Sequence, residues 1–279
     1  MIKLEMELSD IDYEVLVKEI LPKVADRLKQ NGSPLAPLLS GGMAANVLLR
    51  ASDSVRDRMA AEILNAAAPR LTGPLENLAA DNGIPCITFN SDLPNSRRLC
   101  FVGQDYAKSG RIAAELLTKC IAPDARILAL AGNLEYNGHR TRLDGFCSHM
   151  REKGFSAAQI DIGETYNDYR VTYNKVMAAL KGPTPPDAIY MANRSVTACI
   201  DAVRAAGCTG RVRVIAHDMS PGRAQMLREG TLDLTITQDM FRQGSQPLIL
   251  LCDLLQLGTQ PGRDQLSTSI SIICAQNID

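Results

Sequence analysis

The chain has 279 residues, 30 Lys+Arg against 31 Asp+Glu, a formal net charge of -1, 46% hydrophobic residues and no Trp. This is ordinary globular composition with enough chain for a substantial core. It excludes a globally basic nucleic-acid binder, and the 4% aromatic content leaves little for a base-stacking platform. No apolar run reaches the ~18 residues that span a bilayer. The N-terminal MIKLEMELSDIDYE is acidic and lacks the apolar core of a secretory signal. The cysteines lie mostly within apolar runs and never as C-x-x-C, so they read as buried thiols of a reducing, cytoplasmic setting. With 3 His, no metal centre is expected.

Residues 1–83 read as helical. Ser9 and Asp10 precede Tyr13, Leu16, Val17, Ile20, Val24 and Leu28 at helical spacing, with Pro22 as a kink and Asn31-Gly32-Ser33-Pro34 as a stop. Ser54 to Asp57 resembles a capping box for a helix to about Ala68. Thr72 with Pro74 opens another that Asn82-Gly83 closes. Beyond residue 83 the pattern alternates. Strands are expected at Pro85–Phe89, Leu99–Val102, Arg126–Leu130, Ala157–Ile162, Ala188–Met191, Val212–Ala216, Leu234–Thr237 and Ser269–Cys274. Helices are expected at Ala107–Cys120, His139–Lys153, Tyr169–Leu180, Val196–Ala206, Arg223–Glu229 and Phe241–Leu257. Apolar strands alternating with amphipathic helices give βα units and a mostly parallel sheet.

Ligands of open α/β sheets bind beyond the carboxyl ends of the strands. Those ends offer Asn90-Ser91-Asp92, Asn133 with His139-Arg140 further on, Asn193-Arg194, His217-Asp218 and Gln238-Asp239. Such side chains can converge on a hydroxylated ligand. They also suit loops and helix N-caps. Asp105 reads as an N-cap, His217 as a packed histidine, and Met219 and Met226 as core. Tyr136 and Phe241 read equally as pocket wall, core or surface.

Five stretches carry a family resemblance: GIPCITFNSDLPNSRRLCFVGQDYAKSGRIAAELL, ARILALAGNLEYNGHRTRLDGF, DAIYMANRSVTACIDAVRAAG, VRVIAHDMSPGRAQMLREGTLDLTITQDMFRQGSQPL and ISIICAQNI. In order and spacing, residues 84–279 resemble the type I periplasmic-binding-protein fold of ribose-binding-type receptors and of LacI-family effector domains. The resemblance implies an α/β fold of two parallel-sheet lobes closing over a sugar or polyol. The remainder of the first lobe would lie at 84–104 and in the C-terminal strands, and the second lobe at about 105–236. It implies ligand contacts from Asn90, with Ser91 or Asp92 beside it, and from Arg140, Asn193, Asp218 and Gln238; Tyr136 is a further candidate. Arg142 is the rival of Arg140, one facing the cleft while the other pairs on the helix surface, and Arg140 is the residue assigned here.

The opening βα units of the family's first lobe have no counterpart, so that lobe reads as truncated and preceded by the helical segment. No helix-turn-helix is present, and direct DNA binding is not expected. A truncated sheet exposes an edge that a homodimer would cover. The expected function is non-enzymatic: a cytoplasmic, regulator-derived sensor without cofactor, catalytic residue, metal or membrane contact. Walker A, GxGxxG, GxSxG and metal-spaced motifs are absent. The alternative is a protein-interaction module with an inactive cleft.

Overall fold

Strands sandwiched between helices must be apolar on both sides, and alternate residues of this chain's strands enter two different cores. The computed structural model describes residues 81, 83, 85–92 and 95–278, which belong to the unit Thr72–Asp279. The helical readings of residues 10–28 and 54–68, and that of 72–82 apart from Asp81, lie outside the described residues.

The elements in chain order are β1 (Ile87–Phe89), β2 (Cys100–Gly103), α1 (Tyr106–Thr118), β3 (Ile127–Ala131), α2 (Asn137–Glu152), a 3-10 turn (Ala157–Gln159), β4 (Ile160–Glu164) and α3 (Tyr169–Lys181). They continue with β5 (Ala188–Met191), α4 (Val196–Ala205), β6 (Arg213–His217), α5 (Pro221–Arg228), β7 (Leu234–Gln238), α6 (Met240–Leu257), β8 (Gln265–Ser267) and β9 (Ile270–Ile273). Two sheets result, ordered β1-β2-β8 and β4-β3-β5-β6-β7-β9. All neighbours are parallel except β7 and β9, where Thr235 faces Ile273 and Gln238 faces Ile270. The α/β two-lobe, mostly parallel architecture expected from the sequence is the one observed.

In the large sheet Leu128, Leu130, Ile189 and Met191 pack with α3 and α4 on one face. Ile127, Ala129, Ala188 and Tyr190 pack with α1 and α2 on the other. Phe146 stacks on Tyr190 with ring centres 4.1 Å apart. Helix α1 meets α2 through glycines. A Cβ on Gly110 would stand 1.9 Å from the Arg142 carbonyl oxygen, and one on Gly145 2.2 Å from that of Ala107. Only residues without a side chain allow backbones so close.

Two expectations need correction. The stretch 157–162 is not one strand. Gln159 Oε1 accepts from the Ser156 backbone N–H (2.9 Å) and Oγ (3.1 Å), a capping box that curls 157–159 into a turn before β4 begins. Strand β8 was not anticipated; it pairs with β2, Phe101 opposite Gln265, while β9 adds to the large sheet rather than to the first lobe. The chain thus passes between the sheets at 104–105, at 239 and at 268–269.

Candidate functional site

Because every strand but β9 runs the same way as its neighbours, the carboxyl ends of each sheet lie along one edge. The residues directly after those ends form several hydrogen-bonded groups. In the small sheet, Asn90 follows β1, Gln104 follows β2 and Thr268 follows β8. The Tyr106 hydroxyl sits between the backbone carbonyl and the side-chain oxygen of Asn90, 3.0 Å from the latter. The Arg142 guanidinium lies over the Tyr106 ring, 4.9 Å from its centre. Arg142 Nη2 donates to Gln104 Oε1 and Nη1 to the Ala192 carbonyl, both at 3.2 Å. Gln104 Nε2 donates to the Thr237 carbonyl, so one buried glutamine ties the small sheet to the large one.

Along the large sheet, Asn193 Nδ2 donates to Thr165 Oγ1 (2.7 Å), and Asn193 Oδ1 accepts from the Ser195 N–H. Gln238 Nε2 donates to Asp218 Oδ1 (2.8 Å), and Gln243 Nε2 donates to Gln238 Oε1 (3.0 Å). His217 Nε2 shares a 2.8 Å hydrogen bond with the Tyr190 hydroxyl. Asn90, Tyr166, Asn167 and Asp218 take left-handed backbone, with φ between 54° and 65°. Asn and Asp tolerate this region best, and such residues cluster where a loop must aim a side chain.

Five buried side-chain atoms have no hydrogen-bond partner among the described residues: Tyr136 Oη, Arg142 Nε, Asn167 Oδ1, His217 Nδ1 and Gln243 Oε1. Each sits just beyond, or packs against, a strand's carboxyl end. A buried polar atom left alone costs on the order of 1–3 kcal/mol, so five at one edge mark a place prepared for a hydrogen-bonding occupant. Burial keeps His217 neutral, its pKa well below the usual value, and Arg142, Arg223 and His139 act in the same sense. Burial, and then the Arg142 charge, lower the His139 pKa. Burial raises the Tyr106 phenol.

The carboxyl edges bring together five of the residues read from sequence. Asn90, Asn193, Asp218 and Gln238 each belong to one of these hydrogen-bonded groups, and the Tyr136 hydroxyl is one of the partnerless atoms. Ser91 is exposed, its N–H donating to the Phe89 carbonyl. Asp92 has other partners, accepting from Arg98 Nε (2.6 Å) and Nη2 (2.8 Å) and from Thr88 Oγ1. The arginines are the reverse of the expectation. Arg142 is 4% exposed, whereas Arg140 is exposed and makes no side-chain hydrogen bond among the described residues. The cause is helical phase: Gly138, Arg142, Phe146 and Met150 share the buried face of α2, and Arg140 falls outside it. Phe241 and Met219 are exposed. Asp105 caps α1, accepting from the Lys108 N–H, and His217 is packed and bonded, as read.

Sequence reasoning missed Gln104, Tyr106, Thr165, Asn167 and Gln243, and weighed Arg142 only as the rival of Arg140. Gln104 was available from the strand-end rule. Arg142 was available from the four-residue step back from Phe146. Tyr106, Thr165, Asn167 and Gln243 follow from tertiary packing alone. At the opposite edge of the large sheet a depression of about 390 Å³ is lined by residues including Arg126, Gln159, Asp161 and Pro183. None of its lining side chains carries a buried partnerless atom, which sets it apart from the carboxyl edge.

Residues 63–260 match the model of a periplasmic binding protein domain. A curated relative, the D-ribose/D-allose-binding protein of Pseudomonas aeruginosa, is 25% identical over 174 residues, covering 59% of this chain and 53% of the relative. The chain thus spans about half the length of that relative. A glucose-galactose binding protein from Geobacillus stearothermophilus superposes with TM-score 0.68 at 22% identity, covering 96% of this chain and 95% of that one. A solute-binding protein of an ABC transporter from Burkholderia graminis, solved with D-arabinose, superposes with TM-score 0.68 at 20% identity over 75% of this chain and 73% of that one. A family match over most of the chain, with the same two-lobe fold, makes this chain a member of the periplasmic binding protein domain family.

Proposed function

We propose that the chain is a non-enzymatic receptor for a small sugar or polyol, held between the carboxyl edges of its two sheets. The observation that carries this reading is the set of five buried, partnerless polar atoms along that edge. Asn90, Arg142, Asn193, Asp218 and Gln238 supply donors and acceptors of both kinds, which is what a ligand bearing several hydroxyls requires. The names of the ribose/allose-binding and glucose-galactose-binding relatives support the same class. We place the receptor in the cytoplasm as an effector-sensing domain of the LacI-regulator kind, pairing with a second copy. Its ligand shifts an equilibrium between lobe arrangements by its differential affinity for them.

The test is a thermal-shift screen of the full chain against pentoses, hexoses, polyols and sugar acids. A ligand at about a hundred times its Kd adds roughly 2.7 kcal/mol, several degrees in melting temperature. A cooperatively melting protein that no member of the panel stabilises removes the receptor reading.

A further inference from the structure

We infer that the ligand carries a single negative charge, a hydroxylated carboxylic acid such as an aldonic or uronic acid. This rests on the receptor reading above and narrows it. Two guanidinium groups are buried at the site, Arg142 at 4% and Arg223 at 9% exposure. Both are bonded only to neutral acceptors. Arg142 holds the Ala192 carbonyl and Gln104 Oε1, and its Nε, itself buried, holds nothing. Arg223 Nη2 donates to the Arg194 carbonyl at 3.0 Å. Neither forms an ion pair within 4 Å among the described residues.

The carboxylates nearby do not balance them. Asp218 alone belongs to one of the hydrogen-bonded groups, and Gln238 already donates to it. Asp92 is held by Arg98. Glu164 accepts from the Leu134 N–H and Asp239 caps α6 at the Arg242 N–H; both keep their charge, but neither forms an ion pair with Arg142 or Arg223. The two histidines, kept neutral by burial, add no countercharge, and the exposed Arg140 and Arg194 lie on the same edge. Both buried guanidiniums are thus left without an ion-pair partner among the described residues. A buried charge without a partner is costly and is tolerated where a partner arrives. Beside Asp218, a ligand carboxylate adds one compensating charge, whereas a phosphate ester brings closer to two at neutral pH. A guanidinium is also matched in shape to a carboxylate.

The experiment is calorimetric titration of the full chain with matched sets. D-ribose, D-arabinose, D-xylose, D-glucose and D-galactose are each compared with the corresponding aldonic acid, and the hexoses also with their uronic acids and 6-phosphates. The expected result is one acid binding at least tenfold tighter than its neutral parent and tighter than the phosphate. A neutral sugar that binds as well as its acid overturns this inference and leaves the receptor reading standing. A phosphate that binds tightest overturns the carboxylate assignment. Failure of every compound overturns both readings. Arg142→Gln is expected to bring the acid-to-neutral ratio toward one. Should that variant not fold, Asn90→Asp places a carboxylate at the hydroxyl of Tyr106, whose ring Arg142 covers, at a backbone conformation Asp tolerates, and lowers the same ratio. A ratio unmoved in the folded variant counts against the inference.

Discussion

Asp92 and Asp218 both follow strands, yet their side chains serve different ends. Asp92 takes a two-pronged guanidinium from Arg98, with the two side chains 15% and 12% exposed, and fixes the loop between β1 and β2. Asp218 accepts from a single amide, Gln238, and stands beside the partnerless atoms. Asp92→Ala is therefore expected to destabilise the fold by about 2–3 kcal/mol, because it strands a half-buried arginine. The folded variant should bind ligand as the parent does. Asp218→Ala is expected to weaken binding about tenfold or more if a charge-assisted bond to a hydroxyl is lost, with a smaller effect on stability. Denaturant unfolding together with calorimetry separates the two. A D218A protein of unchanged affinity takes Asp218 out of the site.

At the scale of elements, the crossing of α1 and α2 decides whether the site exists. The contact beneath it involves the Arg142 carbonyl, so the distance between the helices also sets where the Arg142 side chain begins. Gly110→Ala would drive a methyl into that carbonyl and is expected to cost about 3 kcal/mol, the upper end of overpacking costs, and to weaken ligand binding in whatever folds. Gly222→Ala, where a Cβ meets nothing within 4 Å, is the matched control and should leave the melting temperature nearly unchanged. Most of these elements were legible in the sequence. Buried strands such as Ala188–Met191 are unbroken apolar runs, and the helices between them carry clear periodicity and caps. Strand β8 was not, since Gln265–Ser267 is short and polar and is a strand only because β2 lies beside it. The site was legible as strand ends but not as side-chain directions. The choice between Arg140 and Arg142 turns on the phase of one helix, which the buried Phe146 and Met150 reveal and a motif does not.

For the molecule as a whole, stability should fall in two steps as pH is lowered. His217 and His139 are held neutral in the fold, whereas in the unfolded chain each takes up a proton near pH 6.5. The unfolded state then binds more protons, and stability declines from about pH 7 downward. Below about pH 4.5 the carboxylates follow. Arg111 holds Glu152 down to about 2, and Lys119, Lys153 and His149 hold Glu115 well below its usual range. Melting temperature measured from pH 8 to 3 should show both declines. His217→Gln should flatten the upper one; an unchanged upper decline would assign it elsewhere. The pairing of β2 with β8 also bears on how the chain folds. Phe101 and Gln265 come from distant parts of the described chain, with the five parallel strands β3 to β7 of the large sheet between them. A floppy loop of that length closes at an entropic cost, but a folded one delivers its own ends to the same place. The large sheet, made of consecutive βα units, is thus the piece able to form early from short-range contacts. The small sheet must wait for β8, and the large sheet gains its antiparallel strand β9 just after it. During synthesis β1 and β2 emerge long before β8, and until then the edge of β2 that β8 will cover stands open to mispairing.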